Sequence, residues 1–262
     1  MIVEENEAKE GFVKSEVHNH ISTILFYHPK GNSLPTKLLN KLKEEIDHAS
    51  HDDNIRVILL RSVQHDVFCS GAYFHELLEI KDQQAAQKFF MGFASVINSM
   101  RKSAKLIVAR VHGKVVGGGL GIVAAADYAI ALEGADVRLS ELSIGIGPYV
   151  IAPALIRKMG LSPFSQLAID SHLWRNSDWA RRKGLYAELH PNKESMEESL
   201  ERLTTTLSKN SLEANQALKR MLWEGTEHWD NLLPERAAQT GALLLKEQAQ
   251  NFLAQFNKSV IF

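Results

Sequence analysis

Short apolar runs along the first half of the chain alternate with stretches in which apolar residues recur at helical spacing. Two of these runs, Phe12 to Val17 and Ile21 to Tyr27, meet at Asn19 and predict a β-hairpin. Three further runs predict buried strands, at Ile55 to Leu60, Lys105 to Val111 and Tyr128 to Leu132. The alternation of strands and helices predicts βαβ units and a mostly parallel sheet, which is an α/β fold.

Helical spacing appears first after Pro35, a residue suited to the first turn of a helix. The apolar positions of this helix are Leu38, Leu39, Leu42 and Ile46. A second helix is predicted over Phe89 to Met100, with one apolar face formed by Phe89, Phe93, Val96 and Ile97. Both helices are therefore expected to bury one face.

The character of the chain changes at about Asn192, after which helical patterns dominate. They cover Glu194 to Leu207, Leu212 to Trp223 and Pro234 to Phe256. We therefore expect a core of residues 1–191 and a helical region of residues 192–262. The helical region carries more apolar side chains than one small bundle needs, and the excess indicates packing against another subunit. These side chains are Leu218, Leu222, Trp223, Leu243, Leu244 and Phe252.

Composition narrows the class of protein. The chain has 262 residues, 45% of them hydrophobic, and a formal net charge of −1 at pH 7. This length suits one large domain or a core with an appendage. The balanced charge argues against a broad basic surface for nucleic acid. Cys69 is the single cysteine, so an internal disulfide framework is excluded and no metal site is expected.

Two segments bear on location. Met1 to Glu10 is acidic and lacks an apolar core, so no secretory signal is expected. Val115 to Ala131 is rich in apolar residues but contains Asp127 and three consecutive glycines, which favours a buried strand and helix over a membrane span. The expected location is the cytoplasm, with no membrane partner.

Two glycine-bearing turns carry the first candidate chemistry. They are Phe68 to Tyr73 and Val116 to Ile122, and each follows a short apolar run. Two such turns can aim two backbone N–H groups at one point, where they would hold the oxygen of a carbonyl that becomes an enolate. The second turn opens a predicted helix, whose first N–H groups and dipole favour anions. Taken singly, each turn is also explained by tight packing around glycine.

Glu141 is the candidate acid or base. It lies among apolar residues, ahead of a loop that contains Gly145 and Gly147. Burial in such surroundings would raise the pKa of a carboxyl group, which suits proton transfer near neutral pH. From the local sequence alone, a helix or turn carboxylate that faces solvent is the favoured interpretation.

Together these segments resemble the enoyl-CoA hydratase/isomerase superfamily, the crotonase fold. The resemblance rests on Phe68 to Ala72, Gly117 to Gly119, and Ser140-Glu141 followed by Ile144-Gly145. It covers nearly the whole chain. It implies a spiral of ββα units around the sheet, with the helical region covering the site and forming homotrimers or hexamers. It also implies an acyl-CoA thioester as substrate, with no further cofactor.

Residue by residue, the resemblance implies that Ala72 and Gly118 supply the oxyanion-hole N–H groups and that Glu141 moves the proton. The segment Pro29 to Leu34 resembles the family's N-terminal CoA-contacting loop. The residues expected to contact substrate or CoA are Lys30, Asn32, Ser33, Leu34, Ser70, Gly71, Tyr73, Phe74, His75, Gly117, Gly121, Tyr149 and Phe252.

Two positions depart from the family pattern. Hydratases of the family usually carry a first glutamate where this chain has Gly121, and an aspartate where it has Tyr73. Glu141 is then the one obvious acid or base. The segment Leu139 to Pro153 resembles bacterial glutaconyl-CoA hydratases, which favours hydration of a 3-methylglutaconyl-CoA-like substrate of leucine breakdown. Candidates for its distal carboxylate are Tyr73, His75, Lys114 and Tyr149.

Two alternatives stay open. An enoyl-CoA isomerase or decarboxylase of the same fold needs only one carboxylate, which suits the loss of the first glutamate at Gly121. A catalytically silent acyl-CoA-binding protein would keep the fold without turnover, although retention of Glu141 argues against it.

Overall fold

The computed structural model describes residues 9–63 and 66–259. Most of the acidic segment Met1 to Glu10 therefore lies outside the described residues, as do the last three positions of the predicted helical region. No helix in the described ranges has the combination of length and hydropathy that crossing a bilayer requires.

The strands form two sheets. They are β1 (Phe12–His18), β2 (Ile21–Tyr27), β3 (Val57–Ser62), β4 (Val67–Cys69), β5 (Leu106–Val111), β6 (Lys114–Val116), β7 (Tyr128–Leu132), β8 (Val137–Arg138) and β9 (Glu188–His190). The larger sheet has the order β1-β2-β3-β5-β7-β9, antiparallel only between β1 and β2. The smaller sheet is parallel, in the order β4-β6-β8.

The chain moves between the sheets in a repeating way. Three times in succession it gives one strand to the larger sheet and the next strand to the smaller one: β3 then β4, β5 then β6, and β7 then β8. A helix returns the chain after each of the first two steps. This is the predicted spiral of ββα units.

The helices are α1 (Thr36–His51), α2 (Phe74–Glu79), α3 (Gln83–Lys102), α4 (Gly118–Ala125), α5 (Ala152–Met159), α6 (Leu161–Ile169), α7 (Ser177–Arg182), α8 (Lys193–Lys209), α9 (Leu212–Leu222), α10 (Trp229–Leu244) and α11 (Glu247–Ser259). A short 3₁₀ turn spans Glu141–Ile144. The predicted apolar faces of α1 and α3 are buried.

The hairpin and the three predicted buried strands are confirmed, with bounds that shift by two residues at most. The hairpin turn has positive φ at both Asn19 (48°) and His20 (65°), which matches the right-handed twist of the flanking strands. The strands β4, β6 and β8 were not predicted, because two or three residues are too few to show a period.

The predicted helix over Pro234 to Phe256 is wrong in its bounds. The segment forms α10 and α11, and α10 begins five residues before Pro234, at Trp229. A proline inside a helix removes one backbone hydrogen bond. Burial of Trp229 and Leu233 offsets that loss, since both lie in the main core.

The helical region packs on both sides of the larger sheet. Helix α8 covers one face, where Met196 and Leu200 join Val57 and Val108 in a small apolar cluster. Helix α10 packs along α3 on the other side. This shared core fixes α10 relative to the β-strands.

The predicted apolar excess needs a correction. Trp223 and Leu244 are buried in this chain's own core, because α9 and α10 pack directly on it. Leu218 and Leu222 remain exposed, at 42% and 37%. Of the six predicted side chains, this pair is the most exposed, while Leu243 and Phe252 are partly buried against the core.

Candidate active site

The first turn follows β4 and is shaped by Gly71. Its φ of +85° is a conformation that a side chain disfavours. The carbonyl of Gly71 accepts a hydrogen bond of 2.8 Å from the backbone N–H of Leu34. Because a trans peptide points its C=O and N–H in opposite directions, the N–H of Ala72 points away from Leu34.

Asn32 holds the neighbouring loop in shape. It adopts a left-handed φ of +53°. Its side-chain oxygen accepts from the backbone N–H of His28 at 2.9 Å, and its side-chain nitrogen donates to the carbonyls of Val63 (2.7 Å) and Val67 (3.0 Å). The amide of Asn32, predicted to contact CoA, is thus engaged within the protein.

A group of polar and aromatic side chains lies beside the same turn. The Ser33 hydroxyl is 3.1 Å from Nδ1 of His28, and burial lowers the pKa of His28 to about 4. The His28 ring meets the Tyr73 ring edge-on at 4.7 Å, and Tyr73 stacks on His75 at 5.1 Å. Lys30 is exposed. These residues flank the turn and do not point into the cavity described below.

The second turn touches the first. Gly117 has a φ of +53°, and Gly118 is the first residue of α4, so its N–H has no acceptor within the helix. A methyl group at Gly71 would lie 3.2 Å from the nitrogen of Gly118. A methyl group at Gly118 would lie 2.3 Å from the Phe93 ring. The two turns therefore pack against each other without room for side chains at these glycines.

Glu141 comes directly over Gly117. A methyl group at Gly117 would lie 3.0 Å from Oε1 of Glu141. Oε2 is buried and has no hydrogen-bond partner among the described residues. Burial raises the pKa of Glu141 to about 7, although the backbone N–H groups of Glu141 and Ser140 and the charge of Arg138 oppose the shift. A carboxyl group with this pKa can both accept and release a proton near neutral pH.

One cavity of about 60 Å³ joins these three elements. Its walls are otherwise almost wholly apolar, and Glu141 is the one ionisable group among the described residues that line it. The lining is formed by Ser70, Ala72, Phe74, Leu77, Phe90, Phe93, Val116, Gly117, Gly118, Ser140, Glu141, Ile144, Ile146, Gly147, Pro148, Val150, Ile151 and Thr240.

The cavity gathers some of the predicted site residues and leaves others outside. Those that line it are Ser70, Ala72, Phe74, Gly117, Gly118 and Glu141. Those that do not are Lys30, Asn32, Ser33, Leu34, Gly71, Tyr73, His75, Gly121, Tyr149 and Phe252. Their contact with CoA stays a prediction.

At Gly121, the position of the family's first glutamate, neighbouring side chains occupy the space that a side chain would take. A methyl group there would lie 2.4 Å from Cγ2 of Ile151 and 3.2 Å from Cδ1 of Ile97. Ile151 also lines the cavity. An isoleucine side chain thus occupies the place toward which a side chain at position 121 would point.

The candidates for a distal carboxylate lie elsewhere. Tyr149 packs over Gly147 and lines a separate groove on the outer surface. Lys114 is placed over the Trp174 ring, 5.4 Å from its centroid. Tyr73 and His75 stack on each other beside the first turn. Phe252, from α11, lies 6.3 Å from the Phe74 ring, at the edge of the site.

Sequence reasoning missed most of the apolar wall. Phe90 and Val150 carry no chemical signal, and only their buried periodicity could have marked them. Ile151 lies in the segment Leu139 to Pro153, which was singled out for its resemblance. Thr240 comes from α10, far along the chain, and nothing local to it indicates the site. Cys69, by contrast, is the small buried residue that the sequence suggested, and burial raises the pKa of its thiol to about 12.

Comparison with known proteins bears on the fold. The profile of the family described as Enoyl-CoA hydratase/isomerase matches residues 16–251. A crystal structure of enoyl-CoA hydratase from Bacillus halodurans superimposes with a TM-score of 0.86, at 24% identity, over 93% of this chain and 99% of that one. The crotonase fold is therefore confirmed.

Two curated relatives are similar over different lengths. The peroxisomal bifunctional enzyme of Homo sapiens is 24% identical over 92% of this chain, which spans only 31% of that enzyme. The mitochondrial methylglutaconyl-CoA hydratase of Mus musculus is 30% identical over 45% of this chain and 37% of that protein. The chain thus spans about a third of the length of both relatives.

Proposed function

The chain belongs to the enoyl-CoA hydratase/isomerase family, and from that premise we propose that it adds water to, or removes it from, the 2,3-double bond of an enoyl-CoA thioester. The observation that carries the proposal is the shared cavity. Ala72, Gly118 and Glu141 all line it, and one carboxyl oxygen of Glu141 is buried without a hydrogen-bond partner among the described residues.

In the hydration direction, the thioester oxygen accepts hydrogen bonds from the N–H groups of Ala72 and Gly118. The Glu141 carboxylate takes a proton from water as the water oxygen bonds to C3. The π electrons of the double bond move onto the thioester, and the two N–H groups stabilise the enolate. Protonated Glu141 then gives its proton to C2, which regenerates the carboxylate. We propose that the thioester needs no further cofactor.

A second candidate is an isomerase. It is favoured by the filled position at Gly121, because two carboxylates are not available to hold a water between them. Glu141 would take a proton from C2 of a 3-enoyl thioester and return it at C4, which moves the double bond without water. The apolar cavity walls suit this reaction, since they do not offer water a fixed place.

The acyl group has two candidates. The segment Leu139 to Pro153 and the similarity to the murine methylglutaconyl-CoA hydratase favour a 3-methylglutaconyl group. The apolar lining favours an uncharged acyl group, because no lysine, arginine or histidine of the described residues reaches the cavity.

The test is turnover of purified protein on crotonyl-CoA, 3-methylglutaconyl-CoA and 3-hexenoyl-CoA, with products separated chromatographically. Hydration is followed as loss of the conjugated enoyl-thioester absorbance. A 3-hydroxyacyl product supports the hydro-lyase, and a conjugated product from 3-hexenoyl-CoA supports the isomerase. Acyl-CoA binding without any turnover would contradict both the hydro-lyase and the isomerase. It would support the alternative of a catalytically silent acyl-CoA-binding protein.

We also propose that the protein is a homotrimer or hexamer in the cytoplasm. The exposed apolar side chains of α9, Leu218, Met221 and Leu222, support a contact with another copy. Light scattering after size-exclusion chromatography tests this. A monomer at micromolar concentration would contradict the assembly.

A further inference from the structure

Away from Glu141, the cavity is lined by side chains from four elements. Phe90 and Phe93 come from α3, Ile144 from the 3₁₀ turn, Ile151 from the start of α5, and Thr240 from α10. The whole cavity has a volume of about 60 Å³, well below the roughly 150 Å³ of a cavity that holds a benzene ring. A cavity of this volume cannot enclose a long acyl chain.

Ile151 lies between Gly121 and the cavity. Its side chain lies against the bare backbone of Gly121 and faces the cavity on its other side. Because Gly121 has no side chain, Ile151 packs directly against its backbone, and Ile151 forms part of the cavity wall. Ile97 touches Gly121 as well but does not line the cavity.

The charged groups that line the cavity affect which acyl groups it can bind. The lining contains one ionisable group, Glu141, which is itself an acid. A second carboxylate placed at the acyl end would be desolvated without a cationic partner, and it would repel ionised Glu141. The hydroxyl of Thr240 is engaged with the carbonyl of Arg236 at 2.9 Å and offers a carboxylate little.

From these observations we infer that the acyl subsite selects short, uncharged acyl groups of about the size of crotonyl, and that Ile151 sets the limit of length. The inference rests on the proposed function, since it places the thioester at Ala72 and Gly118. It names the substrate class of that same site and disfavours the diacid.

The test measures dissociation constants of saturated acyl-CoA esters by calorimetry, together with free CoA. Butyryl-CoA should bind roughly tenfold or more tightly than decanoyl-CoA. Pentanoyl-CoA should bind roughly 100-fold more tightly than glutaryl-CoA, which has the same chain length and a distal carboxylate.

Ile151→Ala should reduce the difference between butyryl-CoA and decanoyl-CoA, because it lengthens the cavity. Ile97→Ala is the matched control, since it removes the same atoms beside the same glycine but outside the cavity, and it should leave the ratio unchanged. Should Ile151→Ala fold poorly, Ile151→Val should give a smaller change in the same direction.

Equal affinity for butyryl-CoA and decanoyl-CoA, or preference for glutaryl-CoA, would overturn the inference and leave the proposed function standing if turnover persists. Binding of every ester no tighter than free CoA would overturn both, because the thioester would then not occupy the cavity.

Discussion

At the scale of single residues, one carboxyl group carries the account. Glu141 is held against Gly117, with one oxygen buried and without a partner among the described residues. The apolar surroundings remove water from this group, and this desolvation raises its pKa to near neutrality. Burial that destabilises the carboxylate is therefore what suits it to proton transfer.

The pH dependence of turnover follows from this pKa. Every proposed reaction begins with Glu141 as the carboxylate, so kcat/KM should rise with pH and level off above an apparent pKa of about 7. Glu141→Gln should lower kcat by roughly 10²–10⁴-fold with butyryl-CoA affinity little changed. A flat profile between pH 5 and 9 would contradict the assignment of the base.

The raised pKa of Glu141 should also affect the free energy of unfolding, independently of catalysis. The pKa of Glu141 lies above its usual 4.5 in the folded protein, so the fold favours the protonated form. Stability is therefore lost as pH rises from about 4.5 through about 7, by about 3 kcal/mol. Glu141→Gln removes this loss, so its free energy of unfolding should gain on that of the wild type between pH 5 and 8. Urea unfolding at both pH values measures the change, and parallel curves would exclude the raised pKa.

At the scale of elements, the site depends on a loop that does not line the candidate cavity. Residues 28–34 hold the first turn through the hydrogen bond from Leu34 to Gly71 and another from the N–H of Ser70 to the carbonyl of Gly31, at 3.1 Å. The loop is held in turn by the three hydrogen bonds of Asn32. The position of the Ala72 N–H therefore depends on the Asn32 side chain, which acts through the loop of residues 28–34.

Two substitutions at Asn32 separate the contribution of its side-chain hydrogen bonds from that of its left-handed backbone. Asn32→Gly keeps the positive φ but loses the side-chain hydrogen bonds, and should lower the free energy of unfolding by about 1–3 kcal/mol. Asn32→Ala loses the same bonds and adds backbone strain, so it should be less stable still. Denaturant unfolding of the two variants checks the order. Equal stability of alanine and glycine would show that the left-handed backbone is not required.

Much of this element level could be predicted from the sequence. The long strands and the helices α1 and α3 show clear periods, and the two glycine turns and Glu141 stand in recognisable order. The smaller sheet could not be predicted, because strands of two or three residues have no period. The segment Pro234 to Phe256 was predicted as one helix, and its start was placed too late because Pro234 suggested a first turn where burial of Trp229 extends the helix.

At the scale of the whole molecule, a buried ion pair ties the helical region to the sheet. The Asp127 carboxylate, between α4 and β7, accepts hydrogen bonds from Lys219 Nζ (2.7 and 2.9 Å), from the Trp223 indole (2.7 Å) and from the backbone of Ile107 (2.7 Å). Lys219 also donates to the carbonyl of Met100 at 2.8 Å. Nothing in the spacing of these residues predicted their meeting, because they lie on distant segments.

Breaking this pair should loosen the fold as a unit. Lys219→Met leaves Asp127 buried without its counter-charge and should cost about 3–5 kcal/mol of unfolding free energy. The double variant Asp127→Asn with Lys219→Met should recover part of that loss, because neither member of the pair is then left as an unpaired buried charge. Urea unfolding of both variants measures it. A double variant less stable than the single one would contradict this explanation.

The central claim is that Glu141 moves a proton at C2 of a thioester held by Ala72 and Gly118. Exchange of the C2 protons of butyryl-CoA in deuterated water, followed by NMR, tests it most directly because it needs neither hydration nor isomerisation. The account predicts exchange catalysed by the wild-type protein and lost in Glu141→Gln, which should still bind butyryl-CoA. Equal exchange rates in the two proteins would contradict it.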